Sequence, residues 1–103
     1  MGTWALPNTK KKAEELQKLF KNPIYSNEST KDTIYDLYGD DDLFDAISDR
    51  EYEEGSDYDI RFVIACHLNS MIEYYEKSPK CFNVKFDKGA IKILKKIVKE
   101  QGV

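Results

Sequence analysis

The stretch Ser56–Lys77, SDYDIRFVIACHLNSMIEYYEK, is the longest part of this 103-residue chain with unbroken helical periodicity, and the rest of the chain is expected to pack around it. One side of the predicted helix carries residues at i, i+3, i+4 and i+7 spacing, namely Ile60, Val63, Ile64, His67, Leu68, Met71, Tyr74 and Tyr75. Phe62, Ala65 and Cys66 cover much of the opposite side in the first half. Because a helix that is apolar nearly all round is buried by its neighbours, the pattern predicts a central helix over Asp57–Lys77.

Polar residues and a proline set the expected ends of this central helix. Ser56 or Asp57 is expected to cap its start, since short polar side chains accept hydrogen bonds from the first free backbone N–H groups. Pro79 is expected to end it, because the residue before a proline avoids helical backbone angles. His67 lies among apolar neighbours, so we expect a hydrogen-bonded core histidine, and Cys66 is expected to act as a small buried hydrophobe.

Four further helical patterns flank the central helix. They cover about Thr9–Lys21, Thr30–Tyr38, Asp41–Asp49 and a last segment from Asp87 to Gly102. The expected N-terminal caps are, in the same order, Asn8 or Thr9, Ser29, one of Asp40–Asp42, and Asp87. Arg50–Ser56 is expected to form a polar loop, and Lys80–Phe86 an extended loop. The chain is therefore predicted to be all-α, a compact bundle of about five helices around a central helix at 57–77.

Size and composition indicate a single helical domain spanning residues 1–103. Hydrophobic residues make up 41% of the chain and aromatic residues 13%, which is typical of a globular protein and too high for disorder. No run of about 18 apolar residues is present, and the N-terminus lacks the pattern of a signal peptide. We therefore expect a cytoplasmic protein without a membrane segment. Trp4 and Leu6 are expected to attach the N-terminus to the core.

The net charge of −3 conceals a strong segregation of charge along the chain. Residues Glu28–Asp59 contain 13 acidic residues and only 2 basic ones, Lys31 and Arg50, which gives −11, whereas the remainder carries +8. A segment with such an imbalance repels itself. If the basic first and last helices pack nearby, they relieve the repulsion, and the charges form only a solvated ionic surface. That interpretation stays open beside a functional one.

The functional interpretation is that the acidic segment presents an anionic face to a protein partner with a basic surface. The residues predicted to bind this partner are Asp36, Asp40, Asp41, Asp42, Asp45, Asp49, Glu51, Glu53, Glu54 and Asp57. Carboxylates on short helices and a loop can imitate the phosphate row of a duplex, and long-range attraction then speeds association. We therefore expect a small non-enzymatic inhibitor, immunity or regulatory protein that masks a nucleic-acid-handling surface.

The eight residues Asp41–Ser48, DDLFDAIS, resemble a stretch of the phage-encoded DNA mimics that block restriction enzymes. The resemblance implies DNA mimicry by this acidic helix. It covers a short, recurring acidic-helix pattern, and the basic last helix departs from those proteins, whose tail is acidic. The resemblance therefore assigns no family.

Two other functions fit the sequence. One is a helical accessory subunit that binds its partner through an apolar groove, and the other is nucleic-acid binding through the Lys-rich first and last helices. Against nucleic acid, the chain is acidic overall, and arginine, which commonly reads bases, is scarce. We therefore expect a protein partner rather than nucleic acid or a membrane.

No catalytic, cofactor-binding or metal-binding residue is predicted. A calcium-binding loop requires Gly at its sixth position, but counting from Asp40 places Asp45 there. Leu43, Phe44 and Ile47 indicate a packed helix in that region instead. Zinc-type CxxC and HxxxH spacings are absent, and a single histidine gives no reason to propose a catalytic triad.

Overall fold

The computed structural model describes residues 6–39 and 41–103, and five α-helices account for most of them. They are α1 (Lys10–Leu19), α2 (Glu28–Leu37), α3 (Asp41–Glu54), α4 (Arg61–Lys77) and α5 (Lys88–Glu100). A short 3₁₀ turn at Pro79–Cys81 follows α4. The predicted all-α bundle is confirmed. Trp4 and Asp40, for which a core contact and a helix cap were predicted, lie outside the described residues.

Helix α4 lies at the centre of the packing, as its apolar pattern predicts. It packs against α5 and against α3, while α1 packs against α5 and α2. The residues that α4 buries are Ile64, Ala65, Leu68, Met71 and Ile72. It ends at Lys77, directly before Ser78 and Pro79, as predicted. The molecule is thus arranged with the basic pair α1–α5 on one side of α4 and the acidic helix α3 against another part of it.

The start of α4 differs from the prediction, because the helix begins at Arg61 and not at Asp57. The preceding residues pair with the segment after α1 instead. Ile60 donates its backbone N–H to the Ile24 carbonyl at 2.8 Å, and Ser26 donates to the Tyr58 carbonyl at 3.1 Å. Neither Ser56 nor Asp57 caps the helix, since the N-cap position is Ile60, whose own side chain forms no capping hydrogen bond.

An ion pair between Asp59 and Arg61 fixes this junction. The Asp59 carboxylate accepts hydrogen bonds from the Arg61 guanidinium, the shortest at 2.7 Å, and from the Arg61 backbone N–H at 3.0 Å. Partial burial acts to raise the pKa of Asp59, but these hydrogen bonds and the positive charge outweigh it and lower the pKa below its usual value. Arg61 also reaches the Phe20 carbonyl, so one side chain joins the end of α1 to the start of α4.

The boundaries of α2 and α3 also differ from the prediction. α2 begins at Glu28, because Asn27, and not Ser29, accepts the capping hydrogen bond from the Thr30 N–H at 3.0 Å. α3 continues to Glu54, so the predicted polar loop is wrong for residues 50–54. Ion pairs support this last part of the helix, one of them between Arg50 and Glu54 at 3.1 Å. The helix stops before Gly55, whose φ of +88° is one that L side chains rarely adopt.

Asp87 connects the starts of α1 and α5. It occupies the predicted N-cap position of α5, but its carboxylate accepts a hydrogen bond from the Lys10 backbone N–H of α1 at 3.2 Å. Its own backbone N–H donates to the Asn8 carbonyl at 2.8 Å. Thr9 caps α1 as predicted, accepting from the Lys12 N–H at 3.2 Å. The carboxylate thus lies beside a helix start that carries three lysines, where a negative charge is favourable.

Candidate binding site on α3 and α4

Five acidic residues lie on one face of α3. We call this set the acidic stripe, and it consists of Asp41, Asp42, Asp45, Asp49 and Glu53. At 3.6 residues per turn their spacing places them within about 120° of the helix circumference and along about 18 Å of its length. All five are exposed, because Leu43 and Ile47 on the other face are the residues that bury α3.

Four of the five carboxylates of the acidic stripe are not ion-paired within the part of the chain that the structure describes. Asp42, Asp45, Asp49 and Glu53 have no cationic side chain within 4.0 Å there. The basic helices α1 and α5 pack against each other, and neither packs against α3. Within the acidic segment, α2 therefore packs against a basic helix, whereas α3 does not.

The stripe also opposes the stability of its own helix. Asp45 and Asp49, and then Asp49 and Glu53, are like charges at i, i+4 spacing, and such pairs each destabilise a helix by about 0.2–0.5 kcal/mol. No basic residue lies in the last turn of α3, where the helix dipole favours positive charge. The packing of Leu43 and Ile47 must therefore offset an unfavourable charge pattern.

The other predicted site residues take different positions. Glu51 is half-buried and Glu54 pairs with Arg50, so neither belongs to the acidic stripe. Asp36 is exposed on α2, and Asp57 is exposed in the loop before α4. Asp40 lies outside the described residues. The structure thus gathers half of the ten predicted residues on one helix face.

Polar contacts on the inner side of α3 hold it against α2 and the loop before α4. Lys31 Nζ donates to both carboxylate oxygens of Glu51 at 3.1 Å, and the Tyr58 hydroxyl donates to the Ile47 carbonyl at 2.9 Å. Burial, followed by the charge of Glu51, raises the pKa of both Tyr35 and Tyr58 to about 12. Glu51 therefore contributes to the attachment of α3 rather than to its exposed face.

A groove runs between α3 and α4 beside the acidic stripe. Its α4 side carries Phe62, Cys66, Ser70 and Tyr74 at i, i+4 spacing, together with Val63 and His67, and its α3 side carries Asp42, Ala46 and Arg50. Two adjoining depressions of about 360 and 430 Å³ form this α3–α4 groove, and they share His67 and Ser70. Met71, Cys81 and Phe82 close one end.

The groove corrects the prediction that α4 is covered nearly all round. Phe62 is 49% exposed and Tyr74 is 53% exposed, and Cys66 is only half-buried. Phe44 of α3, predicted to point inward, is 45% exposed. Its ring lies beside the Tyr35 ring, with the two ring centroids 6.0 Å apart. The helical pattern identified apolar faces, but it contained no signal for which of them α3 leaves open.

His67 forms part of the groove and is tied to the core. Its Nδ1 is hydrogen-bonded to the hydroxyl of fully buried Tyr38, as expected of a core histidine, although the ring itself is half-buried. Cys66 and Cys81 are free thiols. Among residues 6–39 and 41–103, no group of three or more His, Cys, Asp or Glu side chains is arranged to hold a metal ion.

Comparison of the chain with protein-family models, with curated proteins and with solved structures finds no match. Within the described parts of the chain, no helix has both the length and the apolar character that crossing a membrane requires. The acidic stripe and the α3–α4 groove are therefore the features of the molecule from which a function can be inferred.

Proposed function

We propose that this chain is a non-enzymatic binding protein that covers a basic surface of a protein partner, as an inhibitor, immunity or regulatory protein. The observation that carries the proposal is the exposed acidic stripe, in which Asp42, Asp45, Asp49 and Glu53 have no cationic side chain within 4.0 Å in the described chain. Exposed like charges on one helix face attract a cationic partner over long range and speed its association.

The spacing of the stripe supports imitation of nucleic acid. Five carboxylates along about 18 Å of helix give one negative charge per about 4 Å. One strand of duplex DNA carries one charge per roughly 3.4 Å along its axis. A protein surface built to bind a phosphate row thus meets a similar linear charge density on α3, and occupying that surface excludes the nucleic acid.

The unfavourable energetics of the stripe also support a binding role. Natural proteins most often break local rules of helix design where a site needs it, and the stability lost there is supplied elsewhere in the fold. Here Asp45, Asp49 and Glu53 repel one another along α3. A partner that brings cations to this face removes that repulsion, so the charges that oppose folding favour the complex.

The experiment compares two triple variants with equal changes of charge. The stripe variant carries Asp45→Asn, Asp49→Asn and Glu53→Gln, and the control variant carries Glu14→Gln, Glu15→Gln and Asp32→Asn, which are exposed acids away from the stripe. Asp41 and Asp42 are left unchanged, because carboxylates in the first turn stabilise the helix.

Partners are captured from the native host at low and high salt, purified and tested for association kinetics. The stripe variant is expected to associate more slowly and with a flatter salt dependence, whereas the control variant keeps most of the rate. Equal rates for the two triple variants would remove the stripe from the proposal and leave it as a solvated surface.

Direct nucleic-acid binding is the second candidate, and the packing of α1 against α5 favours it. These helices bring exposed lysines together on one side of the molecule, including Lys92, Lys96 and Lys99. Because the whole chain is acidic, we expect no appreciable duplex binding at near-physiological salt. A salt-sensitive DNA shift at micromolar protein that disappears when Lys92, Lys95, Lys96 and Lys99 are changed to Glu would reverse this ranking.

A further inference from the structure

We propose, building on the proposed function, that the partner element is a basic amphipathic helix that lies in the α3–α4 groove. Its apolar side chains enter the groove between Phe62 and Tyr74, and its lysines and arginines reach the acidic stripe. An amphipathic helix bound in a hydrophobic groove is a recurring recognition mode, with apolar anchors at i, i+3, i+4 and i+7.

The stripe and the groove are two sides of one surface. Asp42 belongs to both, since it lies in the stripe and lines the groove. Ala46 and Arg50, four and eight residues after Asp42, continue the groove wall. Asp49 lies three residues after Ala46, and Glu53 lies three residues after Arg50, so both carboxylates are on the neighbouring face of α3. The stripe therefore forms an anionic rim along the α3 side of the groove.

The groove offers apolar anchoring positions over the same length as the stripe. Phe62 and Tyr74 are about 18 Å apart along α4, and both are about half exposed. Cys66, Val63 and the partly buried Phe82 add apolar surface between and beside them. About three turns of a bound helix span this distance. One bound helix can therefore contact the aromatic residues of α4 on one side and the carboxylates of α3 on the other along the same length.

The charge around the groove identifies the chemistry of its occupant. Nucleic acid and anionic lipid are repelled by the acidic rim. A second copy docked by a two-fold contact through this groove brings two acidic stripes toward each other, which is unfavourable. Arg50 in the wall is paired with Glu54 at 3.1 Å, so its charge does not cancel the rim. A cationic segment with an apolar face complements both parts of this surface, since its charges face the acidic stripe and its apolar side chains face the groove.

The test uses two synthetic peptides of about 18 residues, five helical turns. One places leucine on one face and lysine and arginine on the other, and the second has the same composition in a scrambled order without an apolar face. Binding is measured by fluorescence anisotropy at two salt concentrations. We expect the amphipathic peptide to bind about tenfold more tightly than the scrambled one.

Variants on both walls separate the apolar and the ionic parts. Phe62→Asn is expected to remove the roughly tenfold preference for the amphipathic peptide and to leave binding of the scrambled peptide unchanged. Ala46→Gln, on the opposite wall, is expected to act in the same direction by narrowing the groove. The stripe variant is expected to bind both peptides more weakly, and its affinity for them is expected to depend less on salt. Circular dichroism and thermal unfolding verify that each variant is folded.

The failures of the two proposals are distinguishable. Equal binding of the two peptides, with no effect of Phe62→Asn, overturns the groove assignment and leaves the acidic face as a charge-only binding surface. Unchanged binding of both peptides to the stripe variant overturns the proposed function itself. If neither peptide binds, the groove assignment is likewise overturned. If analytical ultracentrifugation finds a dimer that Phe62→Asn dissociates, the occupant of the groove is a second copy of this chain, and the assignment to a basic partner helix is overturned.

Discussion

The acidic helix α3 and the basic helix α1 break the same rule of helix design with opposite charge, and the fold compensates them in different ways. α1 begins with Lys10–Lys12, where the dipole disfavours positive charge, but the Asp87 carboxylate contacts that end. α3 has three glutamates among its last four residues and no basic residue in its last turn. Lys31 and Arg50 pair with Glu51 and Glu54 of this end, but Asp42, Asp45, Asp49 and Glu53 of the acidic stripe face outward with no cationic side chain within 4.0 Å in the described chain.

The two regions also differ in the apolar surface that holds them. The residues that the basic pair buries are Ala13 and Leu16 of α1 and Ala90, Leu94, Ile97 and Val98 of α5. α3 buries only Leu43 and Ile47, and ion pairs and hydrogen bonds supply the rest of its attachment. We therefore expect the pair of α1 and α5 to contribute more to stability than α3, and α3 to supply the binding face.

The largest effect is expected from truncating the basic pair at its core. Leu94 of α5 is fully buried, so Leu94→Ala should lower the free energy of unfolding by about 2–5 kcal/mol through lost burial and a residual cavity. Urea denaturation followed by circular dichroism measures it. Lys92→Ala, an exposed change on the same helix, is the control and should stay within about 0.5 kcal/mol. Similar values for the two variants would contradict the assignment of stability to this pair.

The next effect concerns the polar attachment of α3. Lys31 and Glu51 are only 18% and 23% exposed, so Lys31→Met leaves a largely enclosed carboxylate without its cation. We expect a loss of about 1–3 kcal/mol in thermal or urea unfolding. The control is Arg50→Met, whose partner Glu54 is 46% exposed and whose pair should contribute about 1 kcal/mol or less. A smaller loss for Lys31→Met than for Arg50→Met would show that α3 is held differently.

The sequence predicts the helices well where the signals are local. Thr9 caps α1 and Pro79 ends α4, because a cap and a proline act on the adjacent backbone. The end of α3 could not be predicted in this way. Residues 50–54 carry no apolar stripe, and Glu51 is paired with Lys31, which lies twenty positions earlier in the chain.

The two halves of the candidate site differ in the same respect. The acidic stripe follows from residue identity and helical spacing, so Asp45 and Asp49 could be assigned to one face before the fold was known. The groove could not be assigned, because the exposure of Phe62 and Tyr74 depends on how much of α4 is covered by α3 and by the turn after it. Periodicity identifies an apolar face but does not say which neighbour covers it.

Alkaline pH tests the tyrosines that pack between α2 and α3. Tyr35 and Tyr58 have folded pKa values of about 12 against an ordinary 10.0, so the folded state retains their protons longer than the unfolded state. Their contribution to stability is present below pH 10 and is lost as the pH rises from 10 toward 12. Tyrosinate absorbance should show a late-titrating component that Tyr58→Phe reduces. Tyr52→Phe is the control, since Tyr52 is 94% exposed, and an equal reduction by both would contradict this placement.

The smallest expected effect has the opposite sign, because neutralising the stripe should stabilise the protein. Asp45→Asn, Asp49→Asn and Glu53→Gln remove three like-charge i, i+4 pairs, which are Asp41–Asp45, Asp45–Asp49 and Asp49–Glu53. They also remove the negative charge of Glu53 from the last turn, where the helix dipole disfavours it. Together these changes should raise the free energy of unfolding by about 0.5–1 kcal/mol at low salt, and the gain should shrink as salt screens the repulsion. The control triple, Glu14→Gln, Glu15→Gln and Asp32→Asn, removes opposite-charge i, i+4 pairs of Glu14 and Glu15 with Lys10, Lys11 and Lys18, so it should not stabilise the protein. A loss of stability in the stripe variant would mean that these carboxylates serve the fold, and the contrast between α3 and α1 would then disappear.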